Sequence, residues 1–161
     1  MNIYELFQET ARLNKEIIGL LIRSRFNNYE DLSGVDYQKE AEQLLLVDEL
    51  RGILGKLQDV SCTISYMERP IKAEGVLRKA ENGRYKLHSE NTQYDEYEFS
   101  SGTGIEYLTE DNRYEIYDEE KEDYINIPYW SAGTVEHNGT DYYITGAPKD
   151  LVLENLKVRI R

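Results

Sequence analysis

The sequence predicts an α+β protein, in which an N-terminal antiparallel helical hairpin is followed by a small twisted antiparallel β-sheet or barrel. Two observations predict this class. Before residue 70 the apolar residues recur every three or four positions, as they do along one face of an α-helix. After Pro70 they alternate along short segments separated by turn-forming residues, as in β-strands. We therefore divide the 161-residue chain into a helical hairpin, 1–69, and a β-rich domain, 70–161.

The first predicted helix carries a single apolar stripe. Its members follow a 3-4 spacing: Ile3, Leu6, Leu13, Ile17 and Leu20. The pattern ends after Arg25, where the sequence FNNYEDLSG indicates a loop. The second helix is predicted to begin near Asp36, with Asp36 or the pair Ser33 and Asp36 as its cap, and to end before Pro70.

The second helix carries a longer stripe, which predicts a coiled-coil seam against the first helix. The seam residues are Leu46, Leu50, Ile53, Leu57, Val60, Ile64 and Met67. Other apolar residues widen this face, so we expect contact with the β-rich domain or with a second copy of the chain as a homodimer. They are Leu44, Leu45, Val47 and Leu54. Gly52 and Gly55 indicate a bend or a close crossing, and Cys62 is expected to be a small buried residue.

The β-rich domain is predicted to contain three hairpins and a final strand. Asn82-Gly83 and Asn138-Gly139 indicate two tight type I′ turns. A glycine-rich turn is expected at 101–104 between them. The third hairpin has its tip at 118–123, because Tyr114 and Ile116 lie on one side of that acidic run and two isoleucines lie on the other. The sequence ENLKVRIR supplies the last strand.

Residues 74–161 resemble a small uncharacterised domain family. The resemblance rests on the sequences GVLRKAENGRYKL and FSSGTGIEYL, and on the closing segment from WSAGTVEHNGTDYYITG to LKVRIR. Such domains occur on mobile elements of Gram-positive bacteria, including conjugative elements and prophages. The resemblance implies that genetic setting, where counter-defence and regulatory proteins are common. It implies no activity and no functional residue, and the N-terminal helices lie outside it.

The negative charge of the chain is concentrated in one segment. The chain has a net charge of -12, and residues 93–124 contain twelve acids but only two bases, Arg113 and Lys121. Such a segment repels nucleic acid and anionic membranes and attracts a basic protein. We therefore expect a basic protein partner, no direct binding of nucleic acid and no membrane association. The alternative is a solvated surface that serves solubility alone.

No residue pattern indicates a catalytic site, a metal site or a cofactor. His88 and His137 are expected at a strand end and a turn, and one cysteine with two separated histidines cannot form a structural zinc site. The sequence 118–123, DEEKED, lacks the spacing and the glycine of a calcium-binding loop. The sequence contains neither a long apolar run nor an N-terminal secretory signal, so we expect a cytoplasmic, non-enzymatic protein.

The segment 114–130, YEIYDEEKEDYINIPYW, is the predicted partner-binding site. One interpretation is a hairpin with apolar side chains inward and acids outward. The other is mimicry of nucleic acid, because carboxylates on one face of a strand are about 6.8 Å apart, comparable with the spacing of phosphates. Tyrosine is also favoured at interfaces. The predicted contact residues are Glu115, Tyr117, Asp118, Glu119, Glu120, Glu122, Asp123, Tyr124, Tyr129 and Trp130.

Two functions follow from these patterns. The first is a non-enzymatic acidic interaction protein and, in a narrower form, a nucleic-acid-mimicking inhibitor of a basic nuclease such as a CRISPR effector. The second is an accessory or scaffold protein of a mobile element that assembles through its helices. A small enzyme is a third option, which the missing catalytic groups disfavour.

Overall fold

The described residues of the chain form two compact units. The computed structural model describes residues 1–27, 32–89 and 97–161, which fall into the units Met1–Pro70 and Ile71–Arg161. The first unit contains two helices and the second contains a curled antiparallel sheet of seven strands, so the predicted α+β class is confirmed. Residues 28–31 of the predicted inter-helix loop, and Tyr94, Asp95 and Glu96 of the acidic segment, lie outside the described residues.

Helix α1 spans Ile3–Ser24 and begins with a capping box. The side chain of Asn2 accepts a hydrogen bond from the backbone N–H of Glu5, and the side chain of Glu5 accepts one from the backbone N–H of Asn2, both at 2.9 Å. This reciprocal pair satisfies two donors that the first turn of a helix leaves free. The helix ends where Arg25 adopts a left-handed conformation, with φ of 52°.

Helix α2 spans Ala41–Glu68, so its start was predicted too early. Asp36 is not its cap. Glu40 is the N-cap residue, and the preceding chain is held by a 2.7 Å hydrogen bond from the backbone N–H of Gln38 to Oε1 of Gln43. The helix passes through Gly52 and Gly55 without a break. It ends before Pro70, as predicted.

The two helices pack along a different seam from the predicted one. The buried residues are Asn14, Ile17 and Ser24 on α1 and Val47, Leu54, Ser61 and Ile64 on α2. Asn14 Nδ2 donates to Ser65 Oγ at 3.0 Å, whereas Phe26 packs with Val47 and Leu54, so the helices are antiparallel. Small and polar side chains therefore form part of the interface between the helices. The spacing of apolar residues in the sequence does not reveal such positions.

Most of the predicted stripe residues are exposed instead. On α1 these are Ile3, Leu6, Leu13 and Leu20; on α2 they are Leu46, Leu50, Ile53, Val60 and Met67. Ile17 and Ile64 are buried as predicted, and Leu57 is half-buried. Cys62 is also exposed, so the prediction of a buried thiol was wrong. The helical unit therefore presents a large amount of apolar surface.

The described residues of the second unit form nine strands. They are β1 (Ala73–Lys79), β2 (Tyr85–His88), β3 (Tyr97–Glu98), β4 (Thr103–Thr109), β5 (Glu115–Asp118), β6 (Asp123–Asn126), β7 (Tyr129–His137), β8 (Tyr142–Ile144) and β9 (Lys157–Ile160). Seven of them form one antiparallel sheet in the order β3-β2-β1-β9-β4-β7-β8, and β5 and β6 pair with each other as a separate two-stranded ribbon. The final strand and the three hairpins are confirmed.

The two Asn-Gly turns have the predicted glycine conformation but not the predicted turn type. Gly83 and Gly139 have φ of 81° and 94°. A type I′ turn also needs positive φ at the preceding residue, and neither Asn82 nor Asn138 has it. Each asparagine side chain instead accepts a backbone N–H two residues ahead, at 3.0 Å for Asn82 and 2.9 Å for Asn138, which fixes a different turn. Similarly, Gly102 forms the turn before β4, with positive φ.

The core lies on one face of the curled sheet. Alternate residues of each strand point into it, as the period of a β-strand requires. Its buried members are Leu77, Tyr85, Leu87, Phe99, Ile105, Tyr107, Val135, Ile144, Leu153, Val158 and Ile160. The register joins them across strands, since Tyr107 of β4 is opposite Val158 of β9 and Leu77 of β1 is opposite Leu87 of β2.

Truncation of Leu54 to alanine should cost about 2–4 kcal/mol of unfolding free energy, because this side chain is buried between the helices. The matched control is Leu45→Ala on the same helix, where the side chain is 61% exposed. We expect a loss below about 0.5 kcal/mol for that variant. Denaturant titration at low protein concentration measures both. Equal losses would contradict the seam described above.

Candidate functional site

The acidic hairpin is an excursion from the sheet between two paired strands. β4 and β7 are antiparallel neighbours, with Thr103 opposite Val135 at one end and Thr109 opposite Tyr129 at the other. Residues 110–128 leave the sheet at this second end and contain β5 and β6. We call residues 110–128 the acidic ribbon. It contains eight acids and two bases, so its net charge is -6, half that of the whole chain.

The register of the ribbon places two tyrosines together on one face. Tyr117 is opposite Tyr124, and their rings meet edge to face with centroids 5.4 Å apart. Nonetheless, the two residues are 50% and 65% exposed. Edge-to-face pairs stabilise a hairpin modestly, and two accessible tyrosine rings beside carboxylates also form a surface suited to a protein partner.

The other face of the ribbon is also open to solvent. Ile116 lies opposite Ile125, and Ile116, Tyr114 and Ile127 are each about half exposed. The interpretation of the hairpin as apolar residues inward and acids outward is therefore wrong for these residues, because their side chains are about half exposed. A two-stranded hairpin is only marginally stable alone and has no core of its own. The exposed apolar side chains of the ribbon therefore do not belong to a core.

Five carboxylates surround the tip of the ribbon. Asp118 and Asp123 form the last strand pair, and Glu119, Glu120 and Glu122 lie in the loop between them. Asp118 also holds the loop, because its Oδ1 accepts the backbone N–H of Glu120 at 2.9 Å and that of the next residue at 3.2 Å. Glu122 is left-handed, with φ of 51°. The glutamates of the tip are exposed.

The expected row of carboxylates along one strand face is not formed. Glu115 and Asp118 are three positions apart on β5 and therefore point to opposite faces. β6 contributes Asp123 alone. The acids form a cluster around a turn, and this cluster does not reproduce the regular spacing of a phosphate backbone.

Tyr129 anchors the base of the ribbon. Its hydroxyl donates to Asp111 Oδ2 at 2.9 Å, its ring meets that of Tyr114 edge to face at 4.9 Å, and the Arg113 guanidinium lies 5.1 Å from the ring centroid. The backbone N–H of Arg113 and the Tyr129 hydroxyl together hold the pKa of Asp111 below its ordinary value. Partial desolvation and the bond to Asp111 raise the pKa of Tyr129.

Trp130 and Glu106 lie on the sheet face opposite the core. The guanidinium of Arg159 lies 4.2 Å from the centroid of the Trp130 ring, and Lys157 Nζ lies at 5.8 Å. Arg159 also donates to Glu106, and Arg161 Nε donates to Glu106 Oε1 at 2.6 Å. Glu106 is only 3% exposed, although it belongs to the acidic segment 93–124. It is therefore a buried, paired charge.

Burial opposes ionisation of Glu106, but the hydrogen bonds and charges of Arg161 and Arg159 outweigh that effect. The pKa of this carboxyl therefore lies below its ordinary value. β4 and β9 place Glu106 and Arg159 directly opposite each other, so the ion pair joins two strands of the sheet. We conclude that Glu106 stabilises the fold and is not available to a partner.

The structure thus brings together eight of the ten predicted contact residues. Glu115, Tyr117 and Asp118 on one strand, Asp123 and Tyr124 on the other, and the loop glutamates all lie on the ribbon. The last two predicted residues are half-buried in contacts of their own at the start of β7; they are Tyr129 and Trp130.

Four features of the ribbon could not be predicted from the sequence. Asp111 and Arg113 were not recognised as anchors, because their contacts to Tyr129 depend on the fold. The exposure of Ile116 and Tyr114 does not follow from the sequence, because one of its two interpretations places the apolar side chains inward. Their alternation with acids was the only signal in the sequence, and it fits a half-buried strand as well as an open one.

Outside the ribbon, the described residues include a histidine engaged in its turn and no group of potential metal ligands. His137 Nδ1 accepts the backbone N–H of Gly139 at 3.1 Å, and its ring contacts Tyr142 with centroids 4.7 Å apart, as expected for a turn residue. Within 1–27, 32–89 and 97–161, no three His, Cys, Asp or Glu side chains are grouped to hold a metal ion. In the same ranges, neither helix has the length and hydropathy to cross a membrane.

The fold and the site define a class: an α+β protein whose β unit carries an acidic, tyrosine-bearing ribbon. A family model described as a domain of unknown function (DUF5348) matches residues 75–160, and the chain belongs to this family. The match covers the sheet and the ribbon and excludes the helical unit. Neither the curated proteins nor the solved structures contain a match to this chain.

Replacement of Glu106 by glutamine should lower the unfolding free energy of the β unit by about 3 kcal/mol at neutral pH, because it leaves two arginines without their buried partner. A carboxyl with a depressed folded-state pKa stabilises the fold above its unfolded pKa of about 4.3 and loses this effect as pH falls through the folded value. The deficit of the variant should therefore shrink in acid.

Glu110→Gln is the matched control for this prediction. It removes one charge from the same segment of the chain, at an exposed position. Thermal and denaturant unfolding between pH 7 and pH 3 would measure the unfolding free energy of the parent and of both variants. The assignment fails if Glu106→Gln is no less stable than Glu110→Gln at neutral pH.

Proposed function

We propose that this protein is a non-enzymatic interaction protein, which binds a basic surface of a protein partner through its acidic ribbon. One observation carries the proposal: the exposed Tyr117–Tyr124 pair lies beside a cluster of five carboxylates at the tip of a ribbon that leaves the sheet. Interfaces combine aromatic anchors with charges that guide the approach of the partner. The ribbon supplies both within 19 residues.

The charge of the ribbon favours a basic protein over nucleic acid or membrane. With a net charge of -6, the ribbon repels phosphate groups of either kind. A solvated surface kept for solubility would need the carboxylates but gives no reason for the half-exposed side chains of Tyr117, Tyr124 and Ile116 among them. Apolar side chains in such number are typical of a contact surface.

A narrower version of the proposal is an inhibitor that occupies the nucleic-acid-binding cleft of a basic nuclease, such as a CRISPR effector. The resemblance to domains of bacterial mobile elements supports that setting, in the cytoplasm of the host. Because the carboxylates surround a turn, we propose that the tip inserts into the cleft and blocks it. The binding would then depend on the charge cluster rather than on a copied row of phosphates.

Neutralisation of the tip should slow the association of a basic partner by about tenfold or more at low salt, where charges act over about 30 Å. The variant carries Asp118→Asn, Glu119→Gln, Glu120→Gln, Glu122→Gln and Asp123→Asn. The fold should be unchanged, since an amide at position 118 keeps the side-chain oxygen that caps the loop. The assays are displacement of DNA or guide RNA from a purified CRISPR nuclease, and surface plasmon resonance against that nuclease at low and high salt.

A second variant controls for the loss of five charges. It carries Glu16→Gln, Glu42→Gln, Glu49→Gln, Asp59→Asn and Glu68→Gln, all at exposed positions of the helical unit. This control should displace nucleic acid as the parent does. If the tip variant and the control behave alike, with the same salt dependence as the parent, the ribbon is not the binding site. If the parent displaces nothing, the narrower version is wrong.

Tyr117→Ala and Tyr124→Ala should act differently from the charge variant. If these rings are anchors, each substitution raises the dissociation rate of the complex by about tenfold or more and leaves association nearly unchanged. Tyr143→Ala is the control, because this tyrosine is also exposed but lies on β8. Unchanged dissociation in both ribbon variants would contradict an anchoring role.

A second candidate function is an accessory or scaffold protein of a mobile element that assembles through its helices. The exposed apolar side chains of α1 and α2 favour it, because soluble proteins seldom leave so large an apolar area open without a partner. Assembly of this kind would be driven by apolar burial and would show little dependence on salt.

A further inference from the structure

We infer that the helical unit dimerises with a second copy of itself, through an apolar face that joins two hairpins into a four-helix bundle. The inference deepens the second candidate function, assembly through the helices, on which it rests, and does not depend on the acidic ribbon.

On each helix, some of the exposed apolar residues form a regular stripe. On α1, Leu6, Leu13 and Leu20 are spaced seven residues apart. On α2, the stripe is Leu46, Ile53, Val60 and Met67, again seven apart. A seven-residue apolar repeat keeps one line of side chains facing a partner helix over several turns. These residues are therefore patterned for helix packing, although α1 and α2 do not use them against each other.

Both stripes have the same relation to the packed seam. Leu13 directly precedes the buried Asn14, and Ile53 directly precedes the buried Leu54. The same holds further along α2, where the next stripe residue precedes the buried Ser61. One residue corresponds to a rotation of about 100° around an α-helix, so each stripe lies about a quarter turn from the seam.

The two stripes share one face of the hairpin. On both helices, the stripe lies one position N-terminal to the buried seam. Each stripe is therefore rotated from its seam in the same sense about the axis of its helix. Because α1 and α2 are antiparallel, the same sense about two opposed axes leads to the same side. The hairpin therefore has an apolar face two helices wide, as each half of a four-helix bundle has.

The area of this face suits a homodimer. The seven stripe side chains are each between 41% and 58% exposed. Together they offer roughly 600 Å² of surface per copy, close to the core of a standard interface of about 800 Å² per partner. A two-fold dimer pairs the same patch on both subunits, and a face with two parallel stripes meets its own copy stripe against stripe. A second copy therefore satisfies the face without any other component.

Sedimentation equilibrium and light scattering of the full chain test the inference. We expect a dimer at micromolar concentration that persists at high salt. Leu46→Asp and Ile53→Asp should each shift the chain to monomer, with self-association weaker by about a hundredfold or more. Leu45→Asp is the matched control, because Leu45 is the immediate neighbour of Leu46, is 61% exposed, and lies about a quarter turn around the helix from the stripe. It should remain a dimer.

Folding of the variants is checked by circular dichroism, and the exposure of Leu46 and Ile53 in one copy predicts unchanged helicity for the monomer. Cys62, the single cysteine of the chain, gives a second measurement. It is exposed, and its position on α2 is about a quarter turn to the other side of the seam, so a spin label there leaves the stripe free. Dipolar spectroscopy should give a defined label-to-label distance in the parent and none in Ile53→Asp.

A parent chain that is still monomeric at about 100 micromolar overturns the inference, because an interface of this size should associate more tightly than that. So does a dimer that Leu45→Asp and Leu46→Asp weaken equally, since assembly would then use another surface. A monomeric parent that still captures a host protein through the stripe would overturn the homodimer and retain an accessory role. Binding of a basic partner by the ribbon is distinguishable from dimerisation through the helices, because only the ribbon binding should weaken at high salt.

Discussion

The pairing of β4 with β7 is the constraint on which the rest of the β unit depends. Seven residue pairs join these strands, from Thr103 opposite Val135 to Thr109 opposite Tyr129. β4 also pairs with β9, and so connects the strands β3-β2-β1-β9 to β7 and β8. The same pairing fixes the two ends of the acidic ribbon, because the chain leaves at Thr109 and returns at Tyr129. A change in this register would displace the core and the ribbon together.

The two faces of β4 have different tasks. Ile105 and Tyr107 point into the core, whereas Glu106 points to the opposite face and binds the arginines of the C-terminal segment. The ion pair thus joins β4 to β9 on the side that the core does not cover. Acids that are close in sequence therefore differ in their pairing and exposure. Glu106 is buried and paired with arginines, and Asp111 is hydrogen-bonded at the base of the ribbon. The glutamates of the tip are exposed to solvent. Only the last group is free to meet a partner at little cost in stability.

The sequence predicted the class of fold, the three hairpins and the location of the ribbon, because strand alternation and turn residues are local signals. It could not choose between adjacent helix stripes. Leu46 and Ile53 have the same seven-residue spacing as Val47 and Leu54. The packed seam also contains polar residues, which an apolar pattern does not predict: Asn14, Ser61 and Ser65. Nor could it show that Arg159 lies opposite Glu106, or that Tyr129 holds Asp111, because both depend on register between strands that are distant in sequence. The concentration of acids in the sequence locates the candidate site but does not show which of those acids are exposed.

Two surfaces of different physical character therefore coexist on this chain. In the proposed functions, the tip of the ribbon would attract a basic partner through charge, which salt screens, while the helix face would associate by apolar burial, which salt does not weaken. A homodimer would carry two ribbons in one assembly. When a target offers two basic sites within reach, the second contact becomes intramolecular, and the apparent affinity rises without any new contact per ribbon. Self-association would then strengthen the weak, charge-driven binding of a single ribbon, so the apolar face and the acidic tip would serve one function through separate interactions.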